Sequence, residues 1–385
     1  MKRYLRDQKG ITLIEVLVSI AILGIIMAMN TQLLENMITG SARQNALVTT
    51  QFESTLGLEI MRTDIEAAGL GLADDITAIA TYNEADATKA PVASPFNDAT
   101  TGAPRAIVHS NGVSATGYIA NSDYLVIKST AAGENMAARK WTYITDTNTV
   151  HVWGGGTPDP NLDMVAGDHM VVIRPRSNPS DLAALVGSST SPFFDAKYQT
   201  AAYTSIFVTS AAGDRLMAYG VSDNHDASFA LRMPFNRADY YIRQDSNIQN
   251  CAPGTGTLIK ATVNHADGDL TEMPLITCVA NMQVVFRLDT DGDGIIDSTV
   301  GTTPAMPALT ALQIKQQVKE ARVYLLAHEG PVDQSYTYIG PNPVILGDTA
   351  ALGTQITLNA TNFGPNWDHY RWKIYTLFVK PRSLY

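Results

Sequence analysis

Residues 9–29 read KGITLIEVLVSIAILGIIMAM, and this stretch decides the first element of the fold. Its 19 residues from position 11 to position 29 contain a single charged residue, Glu15. At about 1.5 Å of rise per residue, a helix of this length nearly spans the ~30 Å hydrocarbon layer of a membrane. A carboxylate in that layer costs roughly 2.5 to 3.5 kcal/mol, so we expect Glu15 to have a function. The stretch predicts a transmembrane helix over 11–29.

The residues before this helix, MKRYLRDQKG at 1–10, carry four basic residues and one acidic residue. The positive-inside rule therefore predicts a cytoplasmic N-terminus and an inner-membrane protein whose remaining chain is exported. A secretory signal peptide is the alternative, but the apolar run is longer than its h-region and no A-x-A cleavage site follows.

The exported part of the chain is acidic. Once the leader is subtracted from the totals of 27 basic and 37 acidic residues, 23 and 36 remain, a net charge of −13. No basic stripe follows Gly10. Because phosphate binding requires clustered Lys and Arg, nucleic acid is not expected to be the primary partner.

The string Lys9-Gly10-Ile11-Thr12-Leu13-Ile14-Glu15 resembles the type IV prepilin signal. The resemblance implies that 1–10 is a leader peptide, that a prepilin peptidase cuts between Gly10 and Ile11, and that the new amino group of Ile11 is methylated. The family usually has Phe where Ile11 stands. The resemblance also implies that Glu15 pairs with a free α-amino group in a dry interface, which offsets the desolvation of both charges. The alternative is a carboxylate that snorkels to the membrane surface.

Residues 30–70 contain no proline and predict an amphipathic continuation of the same helix. We expect the second half of its apolar stripe to pack against the rest of the chain. The apolar residues at mostly helical spacing are Leu33, Leu34, Met37, Ile38, Val48, Phe52, Leu56, Ile60, Met61 and Ile65.

The remaining residues, 71–385, are called the head below. Residues 78–122 are rich in Ala, Thr, Asn and Pro and predict loops, whereas β-branched and aromatic residues dominate many later segments. We therefore predict an α+β fold in which the long N-terminal helix packs on a large, mainly antiparallel β head, with a possible insertion at 175–202. The predicted strands are 123–129, 140–145, 149–153, 169–174, 204–209, 239–243, 257–263, 281–288, 321–327 and 371–379.

Several head segments, in order, resemble those of the PilW minor pilins of type IV pili. The similar segments are Arg62 to Gly69, Asn121 to Ile127, Ala166 to Asp168, Val279 to Gly294 and Glu320 to Leu326. The resemblance implies a subunit that works with other minor pilins and the major pilin, with a tip adhesin as a further candidate partner, in pili that serve adhesion and motility.

An acidic segment in the head matches part of a calcium-binding loop. Asp289, Asp291, Asp293, Ile295 and Asp297 occupy positions 1, 3, 5, 7 and 9 of that pattern, with Ile295 offering its carbonyl. The glycine at position 6 supplies the sharp turn, whereas the usual carboxylate at position 12 is replaced by valine. These hard oxygen ligands predict a Ca²⁺ site. An acidic hairpin turn without a metal is the alternative.

The two cysteines, Cys251 and Cys278, both lie in the exported head. An oxidising periplasm favours a disulfide between them, and two buried thiols are the alternative. The seven histidines show no metal-ligand spacing, and no nucleophile elbow, H-E-x-x-H, P-loop or dinucleotide motif is present. The sequence therefore gives no indication of an enzyme.

These features predict a structural protein: a membrane-held minor pilin that joins a tip complex and promotes assembly of type IV pili. A minor pseudopilin of type II secretion, similar to the J component, carries the same N-terminal signal and is one alternative. An adhesin or binding module displayed at the pilus tip is the other.

Overall fold

The first helix, α1 (Leu13–Glu66), covers both the apolar stretch and its amphipathic continuation. The structure is a computed structural model, and it describes residues 10–77, 81–100, 102–145, 150–155, 157–178, 181–187, 193–198, 215–245, 248, 250–300 and 309–384. The chain divides into two units, Met1–Thr49 and Thr50–Tyr385. The leader residues 1–9 lie outside the described part of the chain.

The last turns of α1 bury a narrow face against the head. Gly57 belongs to this face, and a Cβ built on it would lie 2.7 Å from Cγ1 of Ile276, so a small residue is required there. The expectation that the second half of the apolar stripe packs inward holds for Met61 and Ile65, which are 0% exposed, but not for Phe52 and Leu56, which are 68% and 53% exposed. The buried positions, at intervals of three or four residues, are Ser54, Gly57, Met61, Asp64, Ile65 and Ala68.

A buried ion pair joins this part of α1 to the sheet. One carboxylate oxygen of Asp64 accepts hydrogen bonds from the hydroxyl of Tyr240 at 2.6 Å and from Nζ of Lys260 at 2.7 Å. The helix then stops before Gly69, whose φ of +88° favours glycine and whose N–H donates to the carbonyl of Lys128.

The head consists mainly of strands. In chain order these are β1 (Ile107–Ser110), β2 (Tyr124–Ser129), β3 (Trp141–Ile144), β4 (His169–Arg174), β5 (Ala184–Leu185), β6 (Ala196–Lys197), β7 (Leu216–Ser222), β8 (Asn236–Gln244), β9 (Gly256–Val263), β10 (Leu270–Leu288), β11 (Ser298–Val300), β12 (Val318–Glu329), β13 (Val344–Gly347), β14 (Gly353–Ile356) and β15 (Arg371–Val379). Two short α-helices, α2 (Ala311–Gln317) and α3 (Ala360–Phe363), accompany five 3₁₀ turns at Ser94–Phe96, Thr130–Ala132, Ala137–Arg139, Trp367–His369 and Arg382–Leu384.

The main sheet has the strand order β1-β2-β8-β9-β10-β12-β15, with β11 paired to β10. All of these pairs are antiparallel. The 19-residue strand β10 pairs with β9 along its first half and with β12 along its second half, so it connects the two sides of the sheet. Met61 and Ile65 of α1 belong to the core that covers this sheet.

Two smaller sheets complete the described head. One has the order β3-β7-β4-β5, with β6 paired to β4, and the other is the pair β13-β14. The first has a small core that includes Met170 and Leu216. The pair β13-β14 contributes to a second small core that contains Trp372.

The α+β prediction is confirmed, and most predicted strands are present. β4 and β15 have the predicted bounds, whereas 281–288 is only the second half of β10. Two expectations are wrong: the described part of the predicted strand 149–153, residues 150–153, forms only an isolated bridge at Val150, and the predicted loop region 78–122 contains β1. The predicted strand at 204–209 lies outside the described residues. β7 was missed because its sequence, LMAYGVS, has a single β-branched residue.

Candidate functional site

The N-terminal end of α1 contains the first candidate site, which is centred on Glu15. The backbone N–H and the hydroxyl of Thr12 both donate to the Glu15 carboxylate at 2.9 Å. The N–H of Glu15 donates in return to the Thr12 hydroxyl at 3.4 Å. This reciprocal pair is a capping box, and it holds the carboxylate at the positive end of the helix dipole. Glu15 therefore has an intrachain partner at the position where the helix begins.

The predicted cleavage bond lies just before this capped turn. Gly10 and Ile11 precede the first residue of α1 and have no regular secondary structure, and the side chain of Ile11 is 77% exposed. The bond between them is therefore outside the helix. Thr12 was not singled out from the sequence, although Thr-x-x-Glu before an apolar run is a recognisable capping signal.

The acidic loop that follows β10 is the second candidate site. Asp289 is only 2% exposed, and its two carboxylate oxygens accept from the N–H groups of Gly292 at 2.7 Å and Gly294 at 3.0 Å. Both glycines have positive φ, 81° and 88°, so the chain wraps around this carboxylate. The loop ends where Asp297 accepts from the hydroxyl of Thr290 at 2.7 Å.

Three of the predicted ligands converge in this loop. Carboxylate oxygens of Asp289, Asp291 and Asp297 lie within 4.8 Å of one another. Asp293 is not in this group, and its carboxylate instead accepts from the N–H of Ile295 at 2.7 Å. The side chain of Ile295 is exposed. The arrangement therefore offers three carboxylates, not the predicted four, to a single cation.

A lysine lies next to the convergent carboxylates. Nζ of Lys319, on β12, is 3.6 Å from Oδ2 of Asp289. Desolvation raises the pKa of Asp289, but the N–H groups of Gly292 and Gly294 and the Lys319 ammonium outweigh it and hold the pKa below its usual value. Asp289 is therefore ionised at neutral pH.

The predicted disulfide between Cys251 and Cys278 is present, with Cα atoms 5.0 Å apart. Beside it, Nε2 of the buried His328 accepts from the N–H of Ala252 at 2.9 Å, and Nδ1 lies 3.1 Å from the carbonyl of Gly330. Burial lowers the pKa of His328 to about 4, although the Gly330 carbonyl acts in the other direction. His328 is therefore a neutral core residue with both ring nitrogens bonded.

Comparison with known families agrees with the fold and the N-terminal segment. A family model described as the prokaryotic N-terminal methylation motif matches residues 5–29. This motif, together with the long apolar helix, makes the N-terminal segment similar to that of the pilin-like proteins. A second family model, described as type IV pilus-assembly protein W, matches residues 239–382. Together the two matches support a PilW-like pilin. No curated protein and no solved structure matches the chain.

The PilW match covers most strands of the main sheet. Residues 239–382 extend from within β8 to the residue that begins the last 3₁₀ turn. They include the disulfide, the acidic loop and β15. Strands β1 to β7 lie before the matched region, and they comprise β1 and β2 of the main sheet and all of the described second sheet.

Proposed function

We propose that this chain is a minor pilin that joins a tip complex and promotes the assembly of type IV pili. The prepilin peptidase would cut between Gly10 and Ile11 and methylate the new amino group. The chain would first reside in the inner membrane with its N-terminus in the cytoplasm and its head in the periplasm. It would then enter the pilus beside other minor pilins and the major pilin.

The observation that carries this proposal is the exposed apolar surface of α1. An 18-residue window of this helix has a mean hydropathy of 2.3, and none of it is buried within the protein. Such a surface requires cover from lipid or from other apolar helices. A prepilin that is extracted from the membrane and bundled with its neighbours would use both kinds of cover in turn.

The exposed surface continues beyond the predicted membrane segment. Leu33, Leu34 and Met37 are each more than half exposed. Within the second unit, Phe52 and Leu56 are one helical turn apart and are also exposed, although Met61 and Ile65 on the same helix are buried. The outer face of α1 therefore supports contact with the helices of neighbouring subunits.

The capping box supports a role for Glu15 in those contacts. Thr12 holds the carboxylate at the start of the helix, near the residue that would become the mature N-terminus. A neighbouring subunit's α-amino group could pair with this carboxylate when both leave the membrane, which would offset the desolvation of both charges.

Complementation of a strain that lacks this chain tests the proposal. We expect the wild-type chain to restore surface pili and to co-purify with other minor pilins after crosslinking. A Glu15→Val variant should insert into the membrane but restore neither property. If the strain without the chain assembles normal pili and instead loses a secreted protein, the type II secretion alternative is favoured.

We also propose that the acidic loop binds Ca²⁺. The convergence of the Asp289, Asp291 and Asp297 carboxylates within 4.8 Å supports this proposal, since hard oxygen ligands suit this cation. Bound Ca²⁺ would neutralise three carboxylates between β10 and β11 and hold the two strands together. Calorimetric titration of the full chain with Ca²⁺ tests the proposal directly.

A further inference from the structure

An open cavity of about 470 Å³ lies on the head, and none of its described lining residues belongs to the acidic loop or the disulfide. Three parts of the chain form its walls: the turn at 133–135 after β2, the residues at the end of β7, and the β9–β10 hairpin at 262–267. Its size is within the range of small-molecule sites in proteins. The N-terminal motif, the acidic loop and the disulfide leave this cavity without an assigned role.

The floor of the cavity is formed by a hydrogen-bonded pair, Asn236 and His265. The Nδ2 group of Asn236 donates to the carbonyls of Thr130 at 2.7 Å and Val221 at 2.9 Å, and its Oδ1 lies 3.1 Å from Nε2 of His265. Nδ1 of His265 accepts from the N–H of Arg232 at 3.2 Å, so the ring is the neutral Nε2–H tautomer. Burial lowers the pKa of His265 to about 4, so the floor carries no positive charge at neutral pH.

The walls present hydrogen-bonding groups that have no partner in the described part of the chain. Oδ1 of Asn224 accepts from the N–H of Asp226, and Oδ1 of Asn264 accepts from the hydroxyl of Thr271, each at 3.0 Å. Within the described residues, Nδ2 of neither asparagine makes a hydrogen bond, and the exposed carboxylate of Glu134 makes none either. The cavity therefore offers two amide donors and one carboxylate acceptor to a ligand.

An aromatic ring completes the lining. Phe229 is partly exposed and is held by an edge-on contact with the buried ring of His169, with ring centroids 4.9 Å apart and an interplanar angle of 82°. A fixed aromatic ring beside several polar groups can pack against the C–H face of a ligand whose edge carries hydroxyl groups.

We propose that this cavity binds a neutral carbohydrate. Adjacent hydroxyl groups of a sugar ring both donate and accept hydrogen bonds, so they match the Asn224 and Asn264 donors and the Glu134 acceptor. None of the described lining residues is Lys or Arg, and Glu134 would repel an anion, so the lining favours a neutral sugar over a uronic acid or a phosphate. The other lining carboxylate, Asp267, is paired with Lys89 at 2.6 Å, so it adds little attraction for a cation.

The proposal goes beyond pilus assembly and does not depend on it. Saturation-transfer NMR on the full chain tests it, in a detergent without a sugar headgroup. The probes are the methyl glycosides of D-glucose, D-galactose, D-mannose and N-acetyl-D-glucosamine at millimolar concentration, with D-galacturonic acid and D-glucosamine as charged counterparts. We expect saturation transfer to at least one neutral sugar and none to galacturonate. Transfer to none of the neutral sugars, or to a charged one alone, would overturn the proposal.

Two isosteric substitutions test whether Asn224 and Asn264 bind the sugar. In the double variant Asn224→Asp and Asn264→Asp, each Oδ1 acceptor remains while each Nδ2 donor is replaced by a carboxylate oxygen. Affinity for the bound sugar should fall about tenfold or more, because two hydrogen bonds are lost. Asn366→Asp, an exposed residue outside the cavity, adds the same kind of charge and should have no effect. Unchanged binding in the double variant would show that the sugar is held elsewhere. Both variants should assemble pili like the wild type, which separates this test from that of pilus assembly.

Discussion

Thr12 and Glu15 form a closed hydrogen-bonded pair across the first turn of α1, in which each residue caps the backbone N–H of the other. The pair lies in the segment where cleavage would create a new α-amino group. The hydrogen bonds between Thr12 and Glu15 therefore stabilise the start of the helix. They also fix the position of Glu15, the only carboxylate in the apolar stretch.

Substitution of Glu15 should abolish assembly without preventing insertion. Glu15→Val makes the segment more apolar, so membrane insertion should be unchanged or improved. The number of pili counted by electron microscopy should fall to the level of a strain that lacks the chain. Glu15→Gln keeps a hydrogen-bonding group but cannot neutralise an amine, and it should also fail. Glu35→Gln makes the same change farther along α1 and should assemble normally. Normal pili from Glu15→Val would contradict the pairing role.

Processing is expected between Gly10 and Ile11. When the chain is expressed with a prepilin peptidase, intact-mass spectrometry should detect a mature protein that begins at Ile11 and carries a methyl group. Gly10→Val should leave the precursor uncut, because the branched side chain would obstruct a narrow peptidase site. Recovery of residues 1–10 on the assembled protein would contradict the prepilin interpretation.

Calcium should raise the melting temperature of the full chain relative to chelator. Binding to the native state alone contributes about 2.7 kcal/mol at a hundred times Kd. Asp291→Asn should weaken the binding measured by calorimetry more than Asp293→Asn does, because only Asp291 belongs to the convergent group. The two substitutions remove the same charge from the same loop, so equal effects would indicate non-specific attraction.

Lys319 should compete with calcium. Its ammonium lies 3.6 Å from Asp289, where it partly neutralises the carboxylate that a cation would use. Lys319→Gln removes this charge, so the variant should bind calcium more tightly than the wild type. The difference between the two affinities should shrink at high salt. An affinity that is unchanged or lower would contradict a site built on Asp289.

Acidification should destabilise the head through His328. The folded pKa of this residue is about 4, below the unfolded value near 6.5. Its contribution to stability is therefore fully present above about pH 6.5 and is lost as the pH falls toward 4. Between pH 7 and pH 4.5 the free energy of unfolding should drop by roughly 2 to 3 kcal/mol from this residue. In denaturant titrations of His328→Gln, the free energy of unfolding should differ less between the two pH values than it does in the wild type. An unchanged difference would show that His328 is not the cause of the destabilisation.

Loss of the disulfide should lower stability by roughly 3 to 4 kcal/mol for a loop of this length. Substitution of both Cys251 and Cys278 by serine tests this in denaturant titrations of the full chain. Reduction of the wild-type chain should give the same loss, whereas the reductant should not affect the double variant. A loss well under 1 kcal/mol would mean that the loop is already constrained by β9 and β10.

The sequence predicts local features of this protein better than long-range pairs. The helix and strands such as β15 follow from periodicity and side-chain shape, which act over a few residues. Lys128 shows where this fails, because its predicted strand is correct but the lysine is fully buried. Its ammonium is paired with Glu84 at 2.7 Å and Asp98 at 2.6 Å, both in the region predicted as loops. A desolvated charge requires such partners, but nothing in the sequence indicates which distant carboxylates supply them.

The acidic loop illustrates a similar limit at the candidate site. Alternating aspartates in the sequence suggested equivalent ligands, yet the turn at Gly292 and Gly294 directs Asp293 to a local N–H. The nearby Lys319 comes from a different strand and could not have been read from the loop.

The attachment of α1 to the sheet has a mechanical consequence. Asp64 is held by Tyr240 and Lys260 on two neighbouring strands, and Gly57 lets the helix lie directly against Ile276. Tension applied along the helix axis therefore loads these contacts in shear, so that they must break together rather than one after another. If the chain is a fibre subunit as proposed, a pull on its helix would be transmitted to the head without detaching the head from the helix.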